Sequence, residues 1–382
     1  MFDKYIANDI TKVYFEKYAQ LKKIWELKNH PDEIDDEDLY LNSWLNIYVE
    51  PTNRCNLSCA FCARENMDRD FDMLDFAVFR KFVDSLPRGT YLTLTGNGEP
   101  TINVRLYDMI RYASDKGMIV SIITNACALN SVNRKKLIDS GVSRIQMSFQ
   151  SIDKRSNEKL MCGCIFERQL LNILNMIYEV KQSDKKIYTS VASVKTEINK
   201  KYADLTREFW SLIPIDNYYE GELLSLQTDS KMFKDNNTMN KEYLPCAVPW
   251  IALKVNSNGD ISGCHQDFSN KFVLGNIKND NILDIVNSTS ALKFRKAILL
   301  GDWDYLESIG YGGCRKCNTW QDKANYSIRG AIETQLPVRV GLVIDELASD
   351  KSKDVEFLTY VINKMESGEN DVVKIFREYN DD

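Results

Sequence analysis

Histidine is nearly absent from this chain, as are the features of secreted, membrane and nucleic-acid-binding proteins. Only His30 and His265 occur among 382 residues, which argues against most zinc enzymes and against histidine-based acid–base catalysis. Lysine and arginine number 49 against 55 aspartates and glutamates, a net charge of −6, so no basic field attracts nucleic acid. The sequence shows neither an apolar signal region nor a run of about eighteen apolar residues. We expect a cytoplasmic protein with no nucleic acid or membrane partner.

Cysteine, in contrast, is plentiful. A reducing compartment keeps thiols unpaired, so the ten cysteines favour metal binding or catalysis over a disulfide framework. They form a tight trio, three scattered thiols and a distributed quartet: Cys55, Cys59 and Cys62; Cys127, Cys162 and Cys164; Cys246, Cys264, Cys314 and Cys317. Thiolate-rich, histidine-poor ligation is typical of iron–sulfur clusters.

Short apolar segments alternate with helical ones between residues 44 and 228. The predicted strands are Trp44–Val49, Tyr91–Thr95, Met118–Thr124, Arg144–Ser148, Ile187–Val194 and Tyr218–Leu224. The predicted helices between them are Phe76–Leu86, Leu106–Lys116, Asn133–Ser140, Phe166–Val180 and Tyr202–Leu212. Six alternations favour parallel strands with right-handed crossovers, hence an α/β fold built on a partial (β/α)6 TIM-like barrel. Chemistry in such folds lies at the C-terminal ends of the strands.

Further segments flank this barrel. Residues 1–43 predict an amphipathic helix followed by a solvated acidic linker; the helix is expected to cover the core, and docking of a partner is the alternative. Residues 229–325 predict a small α+β unit with a hairpin turn at Asn256–Asp260 and a helix over Ile282–Leu299. Residues 326–382 combine charged helical segments with a strand, Val338–Ile344, in an extension whose role the sequence does not reveal.

The trio of cysteines follows the first strand in the segment Glu50–Cys62. A loop of this length can ligate three corners of an iron–sulfur cubane and leave the fourth iron open to a ligand. A structural zinc site requires a fourth cysteine or histidine nearby, and none is present. Three unrelated buried thiols are the remaining alternative.

This Cys-x3-Cys-x2-Cys loop, with Phe61 before its last cysteine, is similar to the cluster loop of the radical S-adenosylmethionine (SAM) superfamily. The resemblance implies that SAM chelates the open iron through its amino and carboxylate groups. It further implies that an electron from the 4Fe–4S cluster cleaves SAM, and that the resulting 5′-deoxyadenosyl radical removes a hydrogen atom from a small-molecule or peptide substrate. A flavodoxin- or ferredoxin-like protein is the expected electron donor.

The segment Thr95–Pro100 follows the second strand. It resembles the family's Gly-Gly-Glu-Pro motif, with Asn97 inserted between Gly96 and Gly98. The resemblance implies that Glu99 binds the amino group of SAM, and glycine permits a close approach of backbone to ligand. A plain turn is the alternative.

Polar residues also follow the next two strands. Asn125 follows the third strand, and Ser148 and Gln150 follow the fourth. By the same resemblance they face the methionine or ribose part of SAM. Simple capping of the strand ends is the alternative reading.

The quartet Cys246, Cys264, Cys314 and Cys317 can saturate a second metal site. Its order and spacing resemble the Twitch domain, a shortened SPASM domain that binds one auxiliary 4Fe–4S cluster, and most of all that of the butirosin-pathway aminocyclitol dehydrogenase. Together with the barrel, the resemblance covers residues 44–325. Zinc is the alternative for four thiolates.

A saturated auxiliary cluster implies electron transfer, and therefore two-electron oxidation (dehydrogenation) of a sugar, cyclitol or similar polyol. Epimerisation of such a substrate is a variant, because Cys162 or Cys164 is a candidate hydrogen-atom donor. Inert buried thiols are the alternative for both, and packing is expected for Cys127. The competing functions are maturation of a ribosomally synthesised peptide, through thioether, epimerised or carbon–carbon-linked products, and a non-catalytic redox sensor.

Overall fold

The computed structural model describes residues 4–223, 243–317, 327–335 and 355–381. The strands are β1 Asn46–Val49, β2 Tyr91–Leu94, β3 Ile119–Thr124, β4 Arg144–Ser148, β5 Tyr188–Val194, β6 Asn217–Gly221, β7 Ala252–Val255, β8 Asp260–Ser262 and β9 Val273–Asn276. The helices are α1 Lys4–Leu27, α2 Phe76–Asp84, α3 Leu106–Asp115, α4 Ser131–Asp139, α5 Lys154–Leu160, α6 Phe166–Gln182, α7 Ala203–Leu212, α8 Val248–Ile251, α9 Ile282–Val286, α10 Thr289–Leu300, α11 Trp303–Ser308, α12 Ile328–Gly330, α13 Glu356–Glu366 and α14 Val372–Asp381.

The nine strands of the described residues belong to one sheet, in the order β6-β5-β4-β3-β2-β1-β7-β8-β9. Strands β1 to β6 are parallel and adjacent in chain order, with helices between them. This confirms the predicted α/β fold with its six strand–helix alternations. Because parallel strands share a direction, the loops that follow β1 to β5 meet at one end of the sheet.

The second unit, residues 243–317, extends this sheet. Strand β7 pairs in parallel with β1, and β8 and β9 follow as antiparallel neighbours. The predicted hairpin is confirmed: Gly259 adopts φ 90°, a conformation that the Asn-Gly turn supplies. The pairing satisfies backbone groups of β1 that would otherwise form an open edge.

Burial alternates along β1. Ile47 and Val49 are fully buried on the helix side, whereas Asn46 and Tyr48 are half-buried on the opposite face. Thr93 of β2 donates a hydrogen bond to the side chain of Asn46 at 3.0 Å. The face opposite the helices is therefore lined by polar and aromatic side chains.

The N-terminal helix packs on the second unit, as its periodicity predicts. Leu21 and Ile24 of α1 are fully buried, and α1 contacts α8 and α12. The acidic linker is less solvated than expected: it forms two short 3-10 turns, buries Leu39, and pairs Asp38 with Lys23 at 2.5 Å. Arg295 donates to the carbonyl oxygen of Leu39 at 2.8 Å and so joins linker and second unit.

Some boundaries differ from the prediction. The helix expected over Ile282–Leu299 is two helices, because Ser288 caps α10 and the side chain of Asn287 hydrogen-bonds the backbone of Leu41. The C-terminal helices are present as α13 and α14. The predicted strand Val338–Ile344 lies outside the described residues. None of the described helices is long and apolar enough to cross a membrane.

The buried Lys17 of α1 is expected to make the folding stability of the protein depend on pH. Burial and the nearby Arg295 lower the pKa of Lys17 from 10.5 to about 7. Between these values the unfolded chain binds more protons than the folded one, so stability rises with pH. From pH 7 to pH 9 we expect the urea-derived free energy of unfolding to rise by about 2 kcal/mol relative to Lys17→Met. Equal slopes for the two proteins would contradict a buried, readily neutralised lysine.

Candidate functional site

The carboxylate of Glu50 is the centre of the site's hydrogen-bond network. Glu50 follows β1 and is fully buried. It accepts hydrogen bonds from Arg69 at 2.8 Å, from the backbone N–H of Asn97 at 2.8 Å, and from the backbone and hydroxyl of Ser257 at 3.2 and 2.9 Å. Burial alone would raise the pKa of Glu50, but Lys254 and Arg69 hold it below its ordinary value. One carboxylate therefore joins three separate loops.

The two glycines of the Thr95–Pro100 segment are required by packing within the chain. A Cβ atom on Gly96 would lie 2.3 Å from Cγ of Glu50. One on Gly98 would lie 2.3 Å from the carbonyl oxygen of Thr52 and 2.4 Å from that of Arg54. The close approach that glycine allows is thus to the cluster loop, residues 50–62.

The trio of thiols lies on this cluster loop. Cys55, Cys59 and Cys62 are each half-buried, as is Phe61. The backbone N–H of Cys62 donates to the carbonyl oxygen of Cys59 at 3.0 Å, which closes a turn that brings the last two thiols together. Burial raises the pKa of Cys55 and that of Cys59. Bound iron would relieve this cost, because a metal stabilises the thiolate form.

Glu99 is fully buried and engaged by its own chain. Its carboxylate accepts hydrogen bonds from the backbone and hydroxyl of Thr101 at 3.1 and 2.7 Å, from the Thr124 hydroxyl at 2.7 Å and from the backbone of Asn125 at 2.8 Å. Burial raises its pKa. In this arrangement Glu99 ties the end of β2 to the end of β3; its contact with SAM stays a prediction.

Asn125 lies against the cluster loop. Its side-chain amide donates to Oδ1 of Asn56 at 2.8 Å and lies 3.9 Å from Sγ of Cys55. The structure therefore brings the end of β3 to the trio. This placement is compatible with the predicted contact with SAM.

The other two predicted contacts are at the end of β4. The side-chain oxygen of Gln150 accepts from the backbone N–H of Val194 at 2.9 Å, and Gln150 is buried. The half-buried Ser148 offers its carbonyl oxygen to Gln169 at 3.0 Å. Gln150 thus links β4 to β5, the capping role that the sequence left open, while Ser148 stays a candidate for contact with a ligand.

The quartet of thiols lines one pocket. Its wall comprises apolar and aromatic side chains, including Tyr243, Pro249, Phe294 and Trp303, besides Cys246, Cys264, Cys314 and Cys317. Burial raises the pKa of Cys264 to about 12 and those of Cys246 and Cys314 well above their ordinary value. Four thiols converge where only a metal centre would stabilise their thiolates.

Both cysteine sets offer thiolates, the ligands that iron–sulfur clusters take. Among the residues that the structure describes, no group of three or more His, Cys, Asp or Glu side chains is arranged to hold a single metal ion.

A short bridge connects the two cysteine sets. Four residues after Cys264 the chain contacts the barrel: the carbonyl oxygen of Phe268 accepts from Arg69 at 2.8 Å and from the Asn97 side chain at 3.2 Å. Next to Cys264, His265 stacks on Tyr48 of β1 with ring centroids 5.3 Å apart. The quartet's loop therefore contacts both the Glu50 network and the polar face of the sheet.

The polar face of the sheet lies between these loops. The strand register aligns Gln146 with Ser190, and Ser148 with Ala192 and through it with Tyr219. Tyr219 is 57% exposed on the last parallel strand. Hydroxyl, amide and aromatic groups are thus available to a substrate on this face.

The three scattered thiols have different environments. Cys127 and Cys164 are buried with their sulfurs 3.5 Å apart, and the Cys164 thiol also donates to Oε1 of Gln169 at 3.2 Å. Cys162 is exposed, and its thiol donates to the carbonyl oxygen of Lys159 at 3.4 Å. Of the two predicted hydrogen-atom donors, Cys164 is enclosed by other side chains.

Several residues that organise the site were missed from the sequence. Buried Gln169 of α6 donates to the carbonyl oxygens of Asn125 and Ser148 and accepts from Asn157 at 2.9 Å. A single glutamine within a helix gives no sequence signal for such a role. Glu50 had a signal, since a charged residue directly follows an apolar strand and precedes Pro51.

Comparison with known proteins agrees with this geometry. Residues 49–201 match the model of the radical SAM superfamily. The chain contains a radical SAM domain. Residues 246–318 match the SPASM domain, described as an iron–sulfur cluster-binding domain. The two domains imply SAM and 4Fe–4S clusters, and they contain the trio and the quartet, respectively.

Curated relatives match part of this radical SAM protein. It is 30% identical over 114 residues, 29% of the chain and 32% of the relative, to the tungsten-containing aldehyde ferredoxin oxidoreductase cofactor-modifying protein of Pyrococcus furiosus. It is 30% identical over 112 residues, 29% of the chain and 30% of the relative, to the PqqA peptide cyclase of Bradyrhizobium diazoefficiens. The chain thus spans about a third of the length of these relatives.

Solved structures share the fold. SuiB of Streptococcus suis bound to its precursor peptide SuiA has a TM-score of 0.55 at 16% identity, covering 70% of this chain and 68% of that one. The protein anSMEcpe bound to AdoMet and a peptide has a TM-score of 0.54 at 13% identity, covering 79% and 99%. BtrN in complex with AdoMet and 2-DOIA has a TM-score of 0.49 at 17% identity, covering 74% and 96%. At these identities the likeness concerns the fold alone.

Replacing Glu50 tests the central network. In Glu50→Gln, one amide N–H would face donors that now meet a carboxylate, and Arg69 and Lys254 would lose their buried counter-charge. We expect the urea-derived free energy of unfolding to fall by about 3–5 kcal/mol. The matched control is Glu179→Gln, since Glu179 pairs with Arg134 at 2.7 Å but is 32% exposed; its expected loss is under about 1 kcal/mol. Similar losses in both variants would contradict a special role for Glu50.

Proposed function

We propose that this radical SAM protein oxidises its substrate by two electrons, with SAM at the trio and an auxiliary cluster at the quartet. The observation that supports this most is the short bridge between the two cysteine sets. Through Phe268, Arg69 and Asn97, the loop that follows Cys264 hydrogen-bonds to the same network that holds the cluster loop. The two sets are therefore held in one fixed relation.

The trio would hold the cluster that binds SAM. When bound, this cluster would supply the electron that cleaves SAM, and the radical so formed would remove a hydrogen atom from the substrate. Cys55, Cys59 and Cys62 provide three thiolates, and Asn125 and the Gly96–Glu99 segment border the loop that carries them. The chain thus positions the reacting groups at the carboxyl ends of its parallel strands.

The quartet would hold an auxiliary cluster that accepts the second electron. Four thiols line its cavity, so four thiolates can complete the ligation and leave no iron for the substrate. The cavity wall is apolar, which limits access of water to the metal centre. Electron transfer is the role that remains for such a site.

A hydroxylated substrate such as a sugar, cyclitol or similar polyol suits the polar face of the sheet. The half-buried Gln146 and Ser148 offer hydrogen-bonding groups there, and an exposed ring such as that of Tyr219 can pack against the carbon–hydrogen face of a sugar. Cys164 is buried against Cys127 and Gln169 and would have to leave both to reach a substrate, which leaves the exposed Cys162 as the candidate donor for epimerisation.

Maturation of a peptide is the second candidate. It is favoured because the proteins that the chain matches include a PqqA peptide cyclase and SuiB bound to precursor peptide SuiA. The same two clusters would serve a peptide substrate. A flavodoxin- or ferredoxin-like donor would supply the initiating electron in either case.

The reaction is tested by substituting a cysteine of the trio and a cysteine of the quartet in separate variants. The cluster-loaded protein with SAM and dithionite should release 5′-deoxyadenosine, and Cys55→Ala should abolish the release because a trio ligand is lost. Cys314→Ala should still release it but lose oxidised product, because only the quartet is incomplete. Iron content and deoxyadenosine by chromatography are the readouts. No release from fully loaded wild-type protein would overturn the enzyme assignment.

The substrate class is tested by isotope transfer. Deuterated sugars, cyclitols and aminocyclitols, and deuterated peptides encoded beside this gene, are each incubated with the loaded protein and SAM. We expect deuterium in 5′-deoxyadenosine from a polyol, because the true substrate donates the abstracted atom. Transfer from a peptide alone would instead establish the maturase, and Tyr219→Ala should weaken transfer from a polyol more than Tyr219→Phe does.

A further inference from the structure

The buried thiols Cys127 and Cys164 form a pair that belongs to neither the trio nor the quartet. Their sulfurs are 3.5 Å apart, and each residue is 7% exposed. A disulfide requires a sulfur–sulfur distance of about 2.05 Å. The two sulfurs therefore need to approach by only about 1.5 Å, a shift that side-chain rotation can supply.

Short turns present both sulfurs to each other. The backbone N–H of Cys127 donates to the side chain of Asn125 at 3.0 Å, and its carbonyl oxygen accepts from Asn172 at 3.3 Å. Ala126, between Asn125 and Cys127 in the chain, has φ 62°, a left-handed conformation that is uncommon for alanine. The backbone N–H of Cys164 donates to the carbonyl oxygen of Met161 at 2.9 Å. The contact is thus fixed by the backbone on both sides.

Cys162 gives this buried pair a route to solvent. It is exposed and is separated from Cys164 by Gly163 alone, which has φ 91°. A Cys-Gly-Cys segment lets an outer thiol exchange with an inner one, because the flexible glycine allows the two sulfurs to meet. Three thiols therefore form a path from the surface to the interior.

We propose that Cys127 and Cys164 form a reversible disulfide, made by thiol–disulfide exchange that enters through Cys162. The oxidant is a low-molecular-weight disulfide of the glutathione class. The Cys162 thiolate attacks it and releases one thiol; Cys164 attacks the mixed disulfide and releases the second; Cys127 then attacks the Cys164 sulfur and restores the Cys162 thiol. In sum, two protein thiols are oxidised and one disulfide is reduced to two thiols.

The consequence is a link between thiol redox state and the SAM site. Cys127 and Cys164 pack with Leu57 of the cluster loop, and Cys55 and Cys59 contact the same apolar group. The backbone N–H of Ser58 donates to the carbonyl oxygen of Cys162 at 3.0 Å. The disulfide would cross-link two segments that both support the cluster loop. This inference does not depend on the oxidation or the substrate proposed above.

The cluster-loaded protein is incubated anaerobically with oxidised glutathione, alkylated, digested and analysed by mass spectrometry. We expect a Cys127–Cys164 linked peptide that dithiothreitol reverses, while the visible absorbance of the clusters is retained. Cys162→Ser should slow its formation roughly tenfold or more, because the two thiols of the pair are themselves buried. The matched control Ser58→Ala, which retains all ten cysteines, should form the link at the wild-type rate.

Other outcomes would overturn the proposal. A glutathione adduct confined to Cys162, a Cys162–Cys164 bond alone, or a Cys127–Cys164 link found only in protein that has lost its clusters would each do so. Cys127→Ser alters a buried contact and is therefore used only as a mapping aid. In it, we expect oxidation to stop at the Cys162 adduct or the Cys162–Cys164 bond. The decisive measurement is the Cys127–Cys164 link in the wild-type protein.

Discussion

The carboxylate of Glu50 is the constraint on which the rest of the site depends. A buried carboxylate is costly unless cations and hydrogen bonds surround it. Arg69, Lys254, the Asn97 N–H and Ser257 supply these from the cluster loop's neighbourhood, the Thr95–Pro100 segment and the hairpin of the second unit. Because these groups must converge on one carboxylate, the loops that carry them take one mutual arrangement.

The same logic explains the glycines. Gly96 has no room for a Cβ atom because Glu50 lies directly against it. Gly98 has no room for one because the backbone of the cluster loop lies against it. Close packing of this kind leaves the cluster loop few alternative conformations. The part of the cluster loop that leads into Cys55 is therefore restricted by its packing against Gly96 and Gly98.

The sequence allowed the fold to be predicted, because the fold depends on local patterns. Alternating apolar segments specified six parallel strands, and Asn256–Asp260 specified a hairpin. Two metal sites at the cysteine trio and quartet stay a prediction. The sequence did not predict that β7 would pair with β1, since strand partners far apart in the chain leave no local pattern. Nor did it find Gln169 or the Cys127–Cys164 contact, because both arise only when separate loops meet.

The hydrogen-bond partners of polar side chains could not be predicted from the sequence either. Glu99 and Gln150 were predicted to face SAM, and the structure engages them with Thr124, Asn125 and Val194 of their own chain. A motif specifies which residue type stands at a strand end. The partners of that residue depend on neighbouring strands, which a motif does not encode.

The pairing of β7 with β1 bears on how freely the parts of this protein can be recombined. A domain joined only by a linker can be removed or exchanged without exposing backbone. Here, removal of the second unit would uncover the N–H and C=O groups of β1, a hydrophobic central strand that would become an open template for aggregation. It would also leave Glu50 without Lys254 and Ser257. The auxiliary unit is thus a structural completion of the barrel, and the two halves are constrained to evolve together.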